Sequence, residues 1–124
     1  MTHIDLKSMP KYNIRQVEVK KYNEHFQFEK SKKIIHLCCI EFGITYNEMT
    51  DGVRPGKIIS EKKQIASFIA KQMTDISWSN LGRILNDTHA NVIWMYDRIE
   101  GACLREKALK AKVTLMKNKV IESL

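Results

Sequence analysis

Residues 77–99 read SWSNLGRILNDTHANVIWMYDRI, and this stretch decides the fold class. Ser77 is a residue type favoured at helix N-caps, and the apolar spacing after it predicts a short helix through residues 81–85. A polar run then interrupts the pattern, and either Asp87 or Thr88 can cap a second helix. The sequence therefore predicts two successive helices joined by a tight polar turn.

Three apolar residues, Leu81, Leu85 and Val92, are placed to hold these two helices together. The second helix is expected to end near Gly101, because glycine commonly follows a last turn. This is the layout of a helix-turn-helix, at about residues 77–100. The first turn of its second helix offers four side chains that either face a nucleic-acid groove or are simply solvated: Thr88, His89, Ala90 and Asn91.

Helical periodicity also covers the other parts of the chain beyond residue 30. It predicts a helix that is capped by Ser31 and stopped by Gly43, a helix over about 60–73 and a last helix over about 104–123. The last helix places five apolar side chains roughly on one face: Leu104, Ala108, Ala111, Leu115 and Ile121. The predicted fold is a small all-α domain of five or so helices, over residues 31–124.

Residues 1–30 show no sustained hydrophobic period. We interpret them as an N-terminal arm, irregular or partly helical, that packs on the helical domain. Asp5 and Lys7 interrupt the apolar residues at the start, which excludes a signal-peptide core, and no stretch approaches the roughly 20 apolar residues of a membrane span. A cytoplasmic protein without a membrane partner is expected.

The chain has 124 residues and a formal net charge of +7, which favours a polyanionic partner such as nucleic acid. Four cations, Arg54, Lys57, Lys62 and Lys63, precede the two short helices and are candidates for phosphate contacts. Residues 75–100, in contrast, hold two Arg against four Asp or Glu, a net −2.

Site chemistry of other kinds is not indicated. Cys38, Cys39 and Cys103 form neither a disulfide framework nor a zinc set, and the four His are scattered, so no metal is expected. The glycine spacing in residues 52–58 is one residue short of a phosphate-binding loop, and Ile58 replaces its Ser or Thr. His89 has no evident nucleophilic partner. We expect no cofactor, no small-molecule substrate and no enzymatic activity.

A longer pattern runs through about residues 31–101. Its segments are Glu41-Phe42-Gly43-Ile44 with Glu48, Gln64-Ile65-Ala66, Ile69-Ala70-Lys71, Ser77, Leu81-Gly82-Arg83, and His89 through Val92 to Ile99. This pattern resembles the C-terminal DNA-binding domain of the bacterial replication initiator DnaA, of the Trp-repressor-like superfamily.

The resemblance implies binding of double-stranded DNA, with the second short helix in the major groove and the basic loop on phosphates or the adjacent minor groove. It implies base contacts from the first turn named above. The implied backbone contacts are Arg54, Lys57, Lys62, Lys63, Ser77 and Arg83.

The chain departs from the family's Arg-Asp-His-Thr-Thr signature. His89 and Asn91 fall on its His and its second Thr, whereas Asp87 stands where the family has its base-reading Arg. Thr88 stands at the family's Asp, and Ala90 replaces the first Thr. An Asp cannot donate to guanine, and it repels phosphate.

Two functions therefore remain open. The first is a non-enzymatic double-stranded DNA-binding protein, such as a freestanding replication-accessory or phage regulatory factor. The second is a protein-interaction module that keeps the fold, has lost base reading, and binds another protein through the N-terminal arm or the last helix. Asp87 and the net −2 of residues 75–100 favour the second function, and the basic loop and tail favour DNA.

Overall fold

The computed structural model describes residues 14–51 and 56–124, and in these residues it contains helices and no strand. The all-α fold class is therefore confirmed. The helices are α1 (Ile14–Phe42), α2 (Tyr46–Thr50), α3 (Lys57–Met73), α4 (Trp78–Leu85), α5 (His89–Arg105) and α6 (Lys107–Ser123).

Helix α1 begins well before the predicted cap at Ser31. Residues 14–30 continue directly into the predicted helix, and Ser31 lies buried in mid-helix, with its hydroxyl 2.8 Å from the Thr74 hydroxyl. The N-cap prediction was wrong because Ser31 holds α1 to the end of α3 instead. The predicted stop is confirmed, since Gly43 adopts the left-handed conformation, with φ of 71°.

Helix α2 was not predicted, although its start carries a sequence signal. Thr45 accepts from the backbone N–H of Glu48, and the Glu48 carboxylate accepts from the N–H of Thr45, which is a capping box. The helix spans five residues, too short to show a hydrophobic period. Its Met49 is fully buried in the core.

Helix α3 runs through the centre of the molecule and packs on α1 and α5. The residues that were predicted to join the two short helices, Leu81, Leu85 and Val92, are fully buried, which confirms that prediction. Five isoleucines are among the largest buried side chains of the rest of the core: Ile34, Ile35, Ile65, Ile69 and Ile76. Helices α4 and α5 pack on this core through their buried side chains.

The C-terminal helices differ from prediction in two respects. Helix α5 passes through Gly101 and ends at Arg105, so that glycine is not its stop. The predicted apolar face of α6 is the exposed one, with Leu115 57 % exposed, whereas the core contacts come from Val113, Met116 and Val120. The small alanines on the predicted face let the opposite face, which carries larger side chains, bury more apolar area.

Cys38 and Cys39 are buried in the core. Burial raises the pKa of the Cys38 thiol to about 12 and that of Cys39 to about 11, so both remain protonated thiols at neutral pH. Within the described ranges, no helix is both long enough and apolar enough to cross a membrane.

Candidate nucleic-acid interface

Helices α4 and α5 are joined by the three residues 86–88, and we call residues 77–105 the α4–α5 unit. Asn86 ends α4 in the left-handed conformation, with φ of 54°, and the N–H of Asp87 donates to the carbonyl of Gly82 at 2.8 Å. A Cβ built on Gly82 would lie 2.7 Å from the Asp87 carbonyl oxygen, so the turn approaches α4 more closely than any other residue type would allow.

Helix α2 supports this turn from the side. The Tyr46 hydroxyl donates to the carbonyl of Ile84, and the Asn86 amide donates to the carbonyl of Thr50 at 3.0 Å. Both contacts fix the end of α4. Helix α2, which was not predicted, therefore supports the α4–α5 unit.

The two N-caps of the unit are Ser77 and Thr88. The Ser77 hydroxyl accepts from the N–H of Asn80, and the Thr88 hydroxyl accepts from the N–H of Asn91, each at 3.1 Å. Of the two residues considered as the cap of α5, Thr88 therefore fills the role. Each hydroxyl stabilises the first turn of its helix.

The first turn of α5 projects into solvent. Thr88, His89, Ala90 and Asn91 are all exposed. Arg83 is exposed on α4 and lines one surface depression together with Thr88 and His89. The structure thus brings one cation and the start of α5 to the same face.

Asp87 is the centre of a partly buried polar network. Its Oδ2 lies 3.0 Å from the Lys63 ammonium and accepts from the Asn91 Nδ2 at 2.7 Å, while its Oδ1 accepts from the N–H of Thr88 at 2.8 Å. Burial raises the pKa of Asp87, but these three hydrogen bonds and the Lys63 charge outweigh it and hold the pKa below its ordinary value.

The predicted phosphate-contacting cations are not all available on this face. Lys63 is buried, with its ammonium on Asp87, and Lys62 donates to the carbonyl of Phe42 at 3.3 Å. Arg54 lies outside the described residues, and so does the side chain of Lys57. Among the four, only Lys62 is described with part of its side chain at the surface.

Sequence reasoning did not single out the exposed pair of Trp94 and Arg98. Trp94 is 52 % exposed, and the Arg98 guanidinium lies 5.6 Å from the centre of its ring. Their four-residue spacing on a helix is the signal that would have indicated the contact. Asn91 precedes Trp94 by three residues, so the pair extends the helix surface that begins at the first turn.

Comparison with known proteins finds relatives that match most of the chain. The chromosomal replication initiator protein DnaA of Treponema pallidum is 33 % identical over 92 residues, which cover 73 % of the chain and 20 % of that protein. The resemblance to DnaA is confirmed. The DnaA proteins of Streptococcus uberis and Streptococcus pyogenes serotype M1 are 28 % identical over 80 residues, or 64 % of the chain and 18 % of each DnaA.

The chain thus spans about a fifth of the length of the DnaA proteins it matches. No protein-family model matches it. Within the described ranges, no group of three or more His, Cys, Asp or Glu side chains is placed to hold a metal ion.

Proposed function

We propose that the chain is a non-enzymatic double-stranded DNA-binding protein of the DnaA C-terminal type. In this proposal the α4–α5 unit is the helix-turn-helix, and the first turn of α5 enters the major groove. The observation that carries the proposal is the capped, exposed first turn of α5, which the turn at residues 86–88 holds close to α4 at Gly82.

The dimensions and side chains of this turn suit base reading. The major groove admits one α-helix, and in helix-turn-helix proteins the N-terminal residues of the second helix contact base edges. His89 can donate to guanine or to phosphate, and Ala90 can contact the thymine methyl group. Asn91 and Thr88 complete the exposed turn.

Phosphate contacts in this proposal come from the rim of the unit. Arg83 is exposed beside the first turn of α5, and Ser77 lies at the start of α4, where a helix N-terminus favours anions. Lys62 and the basic loop with Arg54 and Lys57 are further candidates. Lys63 is left out, because its ammonium is committed to Asp87.

The test measures binding to random-sequence duplex DNA by fluorescence anisotropy over a range of salt concentrations. Loss of one phosphate contact lowers the slope of log K against log salt by about 0.9. Arg83→Ala is expected to weaken binding and to reduce the slope by about that amount. The matched control is Lys110→Ala, an exposed cation on α6, a helix that packs on α1, α3 and α5 but not on α4.

The basic loop is tested in the same assay. The double variant with Arg54→Ala and Lys57→Ala is expected to reduce the slope further, by up to about 1.8 for two contacts.

If Arg83→Ala binds like the wild type while Lys110→Ala binds weakly, α6 and not the α4–α5 unit faces the DNA. Absence of duplex binding at low salt would overturn the proposal.

A protein-interaction function is the second candidate, and the outer face of α6 favours it. Ala111, Thr114 and Leu115 line a surface depression together with two lysines, Lys107 and Lys110. Exposed apolar surface edged by cations suits an acidic amphipathic helix, because each part of the depression then meets a complementary group. Residues 1–13 of the predicted N-terminal arm lie outside the described residues.

A synthetic acidic amphipathic peptide tests this second candidate. Titration into ¹⁵N-labelled chain should shift the amide resonances of residues 107–118, and Leu115→Ala should abolish the shifts. Leu115 is exposed, so its replacement leaves the core intact. A peptide that binds nowhere on α6, or binds Leu115→Ala equally well, excludes this use of the helix.

The cellular role follows from the relatives only as a proposal. The matched proteins are chromosomal replication initiators, so we infer a role at a replication origin or at a related regulatory site. A freestanding replication-accessory or phage regulatory factor remains our prediction. Crosslinking in cells, followed by sequencing of the bound DNA, would show enrichment at an origin if the role is correct.

A further inference from the structure

The Asp87 network fixes the direction of one amide group on the exposed turn. An ionised carboxylate only accepts hydrogen bonds, so each of its three partners must donate. Lys63 and the N–H of Thr88 are donors by nature, whereas Asn91 has both a donating nitrogen and an accepting oxygen. The Asn91 amide must therefore direct its nitrogen towards Asp87.

This orientation leaves the Asn91 oxygen available to a ligand. The side chain is exposed, and its Oδ1 accepts no hydrogen bond from the residues that the structure describes. The backbone N–H of Asn91 is bound to the Thr88 hydroxyl at 3.1 Å, which fixes the base of the side chain as well. The Asn91 Nδ2 carries two N–H groups and donates one of them to Asp87, so its second N–H stays available beside the oxygen.

The network also changes the electrostatic effect of Asp87 on DNA. The Lys63 ammonium lies 3.0 Å from the carboxylate, and the two side chains are only 10 % and 17 % exposed. The pair is thus neutral as a unit and faces inward, so that Asp87 repels phosphate far less than an exposed Asp would. Its position in the turn is compatible with a helix in the groove.

We propose that Asp87, paired with Lys63, is a positioning residue, and that the Asn91 oxygen, which this pair directs outward, recognises one exocyclic amino group in the major groove. The recognised group is adenine N6 or cytosine N4, the two hydrogen-bond donors on the base edges of that groove. This inference rests on the proposed DNA-binding function. Within that function, the inference states which chemical group of the DNA one residue, Asn91, recognises.

Base analogues in a duplex selected by the full chain from a random library test the inference. Replacing adenine with purine removes N6, and replacing cytosine with pyrimidin-2-one removes N4. Removal of one particular amino group should weaken binding by roughly 3- to 10-fold, the value of one hydrogen bond. In Asn91→Ala the same removal should have no effect.

Asp87→Asn tests the positioning role, because an amide at this place can accept or donate and no longer dictates the Asn91 orientation. It should lose discrimination between adenine and purine, or between cytosine and pyrimidin-2-one. The matched control is Asp97→Asn, at an exposed position on the same helix, which should keep that discrimination. Asn91→Ala replaces an exposed side chain and keeps the test valid if Asp87→Asn does not fold.

Two results would overturn the inference. Binding that no amino-group removal weakens in an Asn91-dependent manner would show that Asn91 reads no base. Full discrimination in folded Asp87→Asn would show that Asp87 does not position Asn91. Failure of the DNA-binding function itself is seen separately, as absence of binding in the salt titration.

Discussion

Lys63 and Asp87 form the contact on which the candidate interface depends most, and they lie 24 positions apart in the sequence. Lys63 seemed a phosphate contact because a lysine in a basic cluster is usually solvated. Its burial follows from the crossing of α3 with α5, which no local pattern reveals. The capping of α5 by Thr88, in contrast, is a local interaction, and Thr88 was one of the two caps that the sequence predicted.

The Asp87 carboxylate should make stability depend on pH in the acid range. Its pKa is lowered in the folded chain, so its stabilising contribution is complete above the unfolded value of about 4 and is lost as the pH falls through the folded value. Asp87→Asn should cost about 1–3 kcal/mol of unfolding free energy at neutral pH, because it leaves the buried Lys63 without its counter-charge.

Urea unfolding of both proteins between neutral and acid pH checks this prediction. The difference in unfolding free energy should be largest above about pH 4 and should shrink below it. Asp97→Asn, on the exposed side of α5, is the control and should stay within about 0.5 kcal/mol of the wild type. A constant difference between wild type and Asp87→Asn at all pH values would contradict the ionised pair.

At the scale of the element, the turn between α4 and α5 depends on a missing side chain. Helix propensity alone would make Gly82→Ala stabilising by up to about 1 kcal/mol. The new Cβ would, however, lie 2.7 Å from a backbone oxygen of the turn, which cannot move without displacing the start of α5. The clash should dominate, so we expect a net destabilisation of about 1–3 kcal/mol.

Gly101→Ala is the matched control for this prediction. Gly101 is also within a helix, but there a Cβ would meet only the Arg105 guanidinium, at 3.4 Å, which is the end of a flexible side chain. We expect stabilisation by about 0.5–1 kcal/mol, measured by thermal or urea unfolding. If the two alanine variants change stability in the same direction, the turn does not lie as close to Gly82 as the structure shows.

At the scale of the whole molecule, the elements that pack one apolar face on the core were predictable, and the others were not. Helices α3, α4 and α5 show the expected period, because each has one buried side. The first half of α1 does not, since Tyr22 and Phe26 are exposed there and contribute no periodic face. The face of α6 was misassigned because both of its sides carry apolar residues.

The central claim is that the first turn of α5 is the surface that meets duplex DNA. The measurement that tests this most sharply is a titration of ¹⁵N-labelled chain with a short random-sequence duplex, in which the amide chemical shifts are recorded. We expect the largest shifts at Arg83 and at residues 88–91, and we expect them to be smaller at higher salt. Unchanged resonances at these positions, with the shifts confined to residues 107–118 of α6 or absent throughout, would contradict it.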